Sequence, residues 1–443
     1  MSLLVEYIGK FGHFQRNARL YLLSNALSGI SAGIVLILYN LYLSSLGYRA
    51  DFIGLVLFVG AVGGGVAIFP AGVCVDRFGG KSVLLCSNLA FAAAAAGQIL
   101  FPQPLPLLII SFLAGGTVAF FLVVNAPYLT ANSTPEDRPH LFSLNIVLGL
   151  GTVVLGEPLG GALPTWFRTI PWLMSPLPSW LLAAQPEPRS YQLAVLFAGI
   201  LAAPSLIPIF LLSDDRPARK RKSMPTLHAW GAINRVSTQK SDTYSTLRAW
   251  RQQFHLRKVL AHPIIVVLLV QVLLGFGMGL FTPYFNLYFV KQLKASPTFF
   301  GLIDGAANGI NALFTLFAPL LAVRIGKITT ITITRLLAIP LLLTIGLTNL
   351  LPLAATFYLF RQGLMDMSLG IFQVFSMEIV SQQQHGLVNS TYQAFSQVAF
   401  ALSVPLGGLI IAHKGYTPAF ILGAILYLLA TGALWGRFKN NEH

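Results

Sequence analysis

The second half of this chain repeats the first in register, and both copies read as membrane-spanning. Gly79 recurs as Gly326, Arg77 as Arg324 and Ser143 as Ser390, and the run Pro158, Leu159, Gly160, Gly161 returns without a gap as Pro405, Leu406, Gly407, Gly408. Near the start the spacing is one residue shorter: Gly29, Gly33 and Asn40-Leu41-Tyr42 correspond to Gly275, Gly279 and Asn286-Leu287-Tyr288. One extra residue before Gly301 accounts for the slip. A duplicated unit of this size constrains the fold more than any local propensity does, because the two copies must pack in equivalent ways. Two like-oriented membrane bundles facing each other suit a solute site at their interface, reachable from either side in turn.

The chain is 55% hydrophobic and only 10% charged, with a mean hydropathy of +0.71, which places it in a bilayer. Alternating segments of the β-barrel kind are missing, so the spans are helical. They run over about 20–45, 52–75, 82–101, 107–130, 141–164 and 191–212 in the first half. In the second they cover about 263–290, 298–322, 328–349, 353–380, 387–412 and 417–436. The expectation is an all-α membrane protein of twelve transmembrane helices in two pseudo-symmetric six-helix bundles, 1–212 and 263–443, joined by a basic linker, 213–262.

A net charge of +15 could point to nucleic acid, but most of the 29 Lys and Arg fall in segments on one side of the membrane, many of them between Arg216 and Lys258. That is the positive-inside bias, which sets orientation and calls for no nucleic-acid partner. Both termini therefore read as cytoplasmic, in a multi-pass protein of the cell membrane. Cys74 and Cys86 flank a cytoplasmic loop, where a structural disulfide is not expected. Residues 1–18 lack the apolar core of a cleavable signal.

Two features interrupt the repeat. Between Gly161 and Tyr191 the first half carries an insertion in which Trp166, Trp172 and Trp180 alternate with prolines, as in a segment resting at the outer membrane interface. The linker places Tyr244, Leu247, Trp250 and Phe254 on one helical stripe among arginines, an interfacial amphipathic helix. Leu4, Tyr7, Ile8, Phe11 and Phe14 show a similar spacing at the N-terminus.

Between spans two and three lie Gly72, Asp76, Arg77, Gly79 and Lys81, in the order G-x-x-x-D-R-x-G-G-K. This resembles the cytoplasmic loop signature of the major facilitator superfamily, with Gly80 replacing the usual Arg. The second copy keeps Arg324 and Gly326 but has Val323 where the acid would be. The resemblance covers nearly the whole chain and implies a transporter, with a small molecule and protons as partners, no cofactor beyond a proton gradient, and a monomeric state. On this reading Asp76 faces the positive N-terminal end of span eleven and Arg77 bridges to neighbouring carboxylates or carbonyls, latching the cytoplasmic side. Glu378 is expected to pair with Arg324 in the second copy.

Span five carries Gly156, Glu157, Pro158, Gly160 and Gly161, resembling the superfamily's antiporter signature with the proline displaced by one. Since Pro405, Gly407 and Gly408 repeat it in span eleven, much of the motif serves a bend and close packing. Charge at depth is the sharper lead. Glu157 aligns with Val404, Asp304 with Leu57, and Arg361 and Asp366 with Ala114 and Ala119, so the repeat does not account for these four. Glu157 and Asp366 are candidates for proton coupling, because burial and nearby charge act against each other on a membrane carboxyl group. Asp304 is the expected partner of Arg361. Arg335 is expected to snorkel toward headgroups. On the cavity-lining helices that the resemblance implies, Asn25, Gln271, Tyr392 and Gln393 could contact substrate; Asn40 and Asn286, near the outer ends, fit packing or gating better. Together these features point to proton-coupled efflux of an amphipathic compound, with uptake of a neutral nutrient as the alternative and a sensor or scramblase as a minor one. No HExxH, Walker loop or Cys-rich metal spacing points to an enzyme.

Overall fold

The computed structural model of the protein describes residues 14–134, 136–175, 183–213, 263–379 and 385–439, with backbone alone for 139, 316 and 385–389. The proposed N-terminal interfacial helix, most of the linker and Trp180 fall outside these residues. Among the described residues twelve long helices make up most of the structure. The first six are α1 (Arg16–Ser45), α2 (Ala50–Phe78), α3 (Gly80–Leu100), α4 (Pro104–Ala131), α5 (Arg138–Arg168) and α6 (Pro186–Ala202). The second six are α7 (Pro263–Phe281), α8 (Pro297–Ile325), α9 (Lys327–Leu347), α10 (Leu351–Glu378), α11 (His385–Lys414) and α12 (Tyr416–Phe438).

Helix is the form that lets a long apolar segment satisfy its own backbone in lipid. Starts and stops are marked locally: Pro104, Pro186 and Pro297 open α4, α6 and α8, and Ser296 caps α8 by accepting the Phe299 N–H at 3.1 Å. Gly79 and Gly326 have φ of 80° and 89°, the left-handed conformation that makes the equivalent α2–α3 and α8–α9 turns, which explains why both copies keep glycine there. Ten helices are long and apolar enough to cross a bilayer outright. Helix α8 joins them when its two parts are counted as one span, bent by 42° between Thr315 and Phe317. Pro319 supplies the cause, since its ring collides with the carbonyl four residues earlier. Helix α10 falls short because Arg361, Gln362 and Asp366 interrupt it.

The packing obeys the repeat. Helices α1 on α5, α2 on α4, α3 on α4 and α1 on α6 are matched by α7 on α11, α8 on α10, α9 on α10 and α7 on α12. Two further contacts, α2 with α11 and α5 with α8, join the halves. With an even number of spans, the start of α1 and the end of α12 lie at one face, here the terminal face; the opposite one is the distal face. Glycines of the helix-bend motif lie at close helix crossings. A Cβ added at Gly156 would lie 2.1 Å from the Ile30 carbonyl oxygen, and one at Gly407 would lie 2.2 Å from that of Leu280, so backbones cross there almost in contact. Helices α5 and α11 run on through Pro158 and Pro405.

The insertion extends α5 to Arg168 and adds a short turn, Pro171–Met174. Trp166 and Trp172 are 56% and 72% exposed, as an interfacial segment requires. Its anchor is Arg189, fully buried and donating to the carbonyls of Ser175, Ala183 and Ala184.

Candidate transport site and gates

The halves meet toward the distal face through two helix crossings that are copies of each other. At the first, a Cβ on Gly54 of α2 would lie 3.0 Å from the Val404 carbonyl oxygen and 3.1 Å from Pro405 Cα of α11. At the second, a Cβ on Gly301 of α8 would lie 2.4 Å from the Glu157 carbonyl oxygen and 3.3 Å from Pro158 Cα of α5. One turn further on, Gly408 approaches the Ala50 carbonyl and Gly161 that of Pro297, at 2.2 and 2.3 Å from the same imagined atom. Each residue of one crossing is the repeat partner of a residue in the other.

Between the crossings, α1 and α7 are joined by a reciprocal pair of bonds. Asn40 donates to the Pro283 carbonyl at 2.7 Å and Asn286 to the Ile37 carbonyl at 3.0 Å. Donors and acceptors are again repeat partners. The backbone differs: α1 runs straight to Ser45, whereas α7 passes at Phe281 into a 3₁₀ turn, Thr282–Tyr284, and then a π segment, Tyr288–Gln292. Arg49 reaching the Ala412 carbonyl and Lys291 paired with Glu187 at 3.6 Å add bonds at the same face.

Nearer the terminal face no such close approach is found among the described residues. Phe69 on α2 and Val323 on α8 are 84% and 87% exposed, and a Cβ on Gly72 would meet nothing within 4 Å. Asp76 and Arg77 are exposed as well, with the Arg77 guanidinium 5.4 Å over its neighbour Phe78, and among the described residues no bond joins Asp76 to α11 in this arrangement. The reason is geometric: α2 and α11 cross at Gly54 and Gly408, far from the loop. Lys81 turns back to the Leu212 carbonyl of its own half. Glu378 pairs with Lys327 rather than Arg324, because Lys327 opens α9 beside the end of α10.

The four charges that the repeat leaves unexplained lie on or beside α8 and α10. Glu157 is completely buried in the α5–α8 crossing, where the side-chain amide of Asn308 lies 3.1 Å from both of its oxygens. No cation is bonded to it among the described residues. Asp304, one turn before Asn308, accepts from the Tyr358 hydroxyl at 2.5 Å instead of pairing with Arg361. Arg361 is held by aromatic faces, 5.0 and 5.5 Å over Phe281 and Phe285, and by the Tyr427 hydroxyl at 3.3 Å. Gln362 links it to the remaining acid, accepting from Arg361 at 3.2 Å and donating to Asp366 at 3.1 Å, while Asn311 donates to Asp366 at 2.6 Å. Arg335 does not snorkel. It is fully buried, 5.0 Å over the Phe372 ring and bonded to Ser368 at 3.2 Å, because it lies more than two turns into α9, where α10 covers it.

Asn308, Asn311 and Gln362 are absent from the sequence reading. Their signal was present: Asp304, Asn308, Asn311 and Thr315 recur at helical spacing, a polar stripe down one side of an apolar span. In the N-terminal half, apart from Glu157 and Arg189, a chain of part-buried amides crosses the interior. Asn25 donates to Asn145 at 2.8 Å, and Asn145 to Asn125 at 3.3 Å, tying α1, α5 and α4 together. Gln271 and Tyr392 are buried, the Tyr392 hydroxyl without a partner, and Gln393 is exposed.

Two duplicated helical bundles, joined by close crossings toward the distal face, define a multi-pass membrane transporter rather than an enzyme. The chain belongs to the Major Facilitator Superfamily, whose model matches residues 21–376 and, in a second match, 267–442. No curated protein matches it in sequence. Among solved structures it is similar to a bacterial homolog of the human lysosomal transporter Spinster in an inward-facing, occupied conformation, with 12% identity, a TM-score of 0.70 and coverage of 95% of this chain and 96% of that one. A bacterial homologue of the iron transporter ferroportin, inward-facing, gives 15% identity and 0.70, covering 95% and 98%. A D-xylose-proton symporter gives 14% and 0.66, covering 95% and 97%. At these identities the likeness is one of fold.

Proposed function

We propose that this protein is a proton-coupled exporter of amphipathic small molecules that works by alternating access, with the terminal face cytoplasmic and the described arrangement open to the cytoplasm. One observation carries the coupling: Glu157, a buried carboxyl group with a neutral amide as its bonded partner, sits inside the α5–α8 crossing that must part for the distal face to open. Opening that crossing exchanges a dry environment for a wet one and takes the Asn308 amide away, so the protonation of Glu157 and the position of the gate are linked. Nothing in the repeat asks for an acid there, since the other crossing does without one. Asp366, partly buried and held by two amides, is the second carboxyl group suited to take part.

The substrate class rests on what the opening does not present. Among the described residues the two arginines deep in the C-terminal half, Arg335 and Arg361, are 0% and 2% exposed, so neither is displayed to receive a phosphate or dicarboxylate. Asn25, Gln271, Tyr392 and Gln393 remain candidates for polar contacts to an otherwise apolar ligand.

The test is flux of an amphipathic dye such as ethidium in proteoliposomes under pH gradients of either sign. Efflux coupling predicts dye accumulation on the acidic side, lost in Glu157→Gln. Accumulation with the proton gradient would replace this reading with symport, and a gradient response intact in both Glu157→Gln and Asp366→Asn would remove these acids from the mechanism. Val404→Glu should not create coupling, because Ala61 stands where the first crossing would need an amide.

A further inference from the structure

Helices α2 and α3 are consecutive, yet they separate beyond their shared turn, since α2 packs on α4 and α11 and α3 on α4 and α6. The space left between them is a cavity of about 750 Å³ floored by Phe120 of α4 and lined by Cys74, Arg77, Phe78, Cys86 and Ala90 among others. Three features describe what fits it. Its walls are largely hydrocarbon and aromatic. Among the described residues its one basic lining residue is Arg77, stacked on Phe78 near the α2–α3 turn and bonded to no described carboxylate; Asp76, its neighbour, is exposed and not part of the lining, and Lys81 is turned to the Leu212 carbonyl. Its depth from the Gly79 turn to Ala90 is roughly 16 Å at the rise of an α-helix, about half of a 30 Å hydrocarbon core. A pocket one leaflet deep, apolar within and cationic at the rim, has the dimensions and charge of a single phospholipid.

We propose that this crevice binds an anionic phospholipid from the leaflet at the terminal face, with an acyl chain between α2 and α3 and the phosphate against Arg77. A 16-carbon chain needs several hundred Å³, which the cavity supplies. The side chains that leave room are Cys86 and Ala90, small where their repeat partners in α9 are Ile333 and Leu337. If the halves alternate as proposed above, an occupant wedged behind α2 favours the arrangement with the terminal face open; binding itself does not depend on that reading.

The only two cysteines of the chain line the crevice, so the native protein carries its own reporters. In lipid nanodiscs, a membrane-soluble maleimide should modify Cys86 about fivefold more slowly when phosphatidylglycerol is included than in phosphatidylcholine alone, as expected for a site mostly occupied. Equal rates in the two lipids would overturn the proposal. Native mass spectrometry of detergent-extracted protein supplies a second measurement. The wild type should retain one phosphatidylglycerol that is lost both in Arg77→Gln and in Ala90→Phe, which fills the cavity. Retention in Ala90→Phe would show that the lipid is held by surface charge alone and would equally overturn the crevice as its site. Melting temperatures of the variants in phosphatidylcholine separate loss of binding from loss of folding, and the labelling comparison needs no variant.

Discussion

The α2–α11 and α5–α8 crossings share their glycines and prolines, and one polar pair at the second has no counterpart at the first. Both use a glycine against the carbonyl of a residue before proline, and a second glycine against the start of the opposing helix. Where the first has Val404 and Ala61, the second has Glu157 and Asn308. The shared framework supplies close backbone approach, which is what two surfaces that must repeatedly meet and part require. The added pair supplies a response to something other than shape. A duplicated fold thus acquires direction where its symmetry is broken, and the break costs little because the surrounding glycines already define the contact.

The largest expected effect attacks the shared framework. Gly161→Leu and Gly408→Leu each put a side chain where a backbone oxygen stands 2.3 or 2.2 Å from the first added atom, so neither crossing can close. Substrate flux should fall about 100-fold or more in both, and the distal face should become open to impermeant thiol reagents at cysteines placed there. A large inequality between the two would end the claim that the crossings are equivalent.

Next comes the pair that distinguishes them. Asn308→Ala leaves both Glu157 oxygens buried without their donor and should cost about 1–3 kcal/mol, read as a lowered melting temperature. Glu157→Gln in the same protein should recover part of that loss. A double-mutant cycle with no coupling energy would show that the two residues merely share the interface. Smaller still is the α1–α7 pair: Asn40→Ala and Asn286→Ala should each remove about 1 kcal/mol from distal closure, a severalfold shift in reagent access of similar size in either variant. The smallest effect belongs to Lys327→Ala, whose exposed bridge to Glu378 is worth under about 1 kcal/mol and should leave melting almost unchanged.

Much of this was legible from residues alone. Span positions follow from hydropathy, and the repeat foretells which helix pairs pack alike. It also marks Glu157, Asp304, Arg361 and Asp366 as departures. Their partners were not legible in the same way. Reasoning from charge pairs Asp304 with Arg361 and Glu378 with Arg324, yet Asp304 takes the Tyr358 hydroxyl, Arg361 the faces of two phenylalanines, and Glu378 the nearer Lys327. In a dry interior a neutral donor of the right reach competes well with a distant opposite charge, and amides are too common in membrane helices to stand out singly. The α8 stripe would have been found by looking for spacing instead of charge. Arg335 does not reach the surface because its distance along α9 puts it beyond the span of its side chain.

The polarity of α10 has a further consequence, for how the chain is made. A segment carrying Arg361, Gln362 and Asp366 is a poor candidate to leave the translocation channel for lipid by itself. Two of those groups bond to helices on either side of it in synthesis: Asp366 accepts from Asn311 of α8, which has already emerged, and Arg361 donates to Tyr427 of α12, which has not. Helix α10 must therefore be held, or paired with α8, until the last span arrives. Truncation before α12 should send the nascent C-terminal half to quality control while the first six helices insert normally.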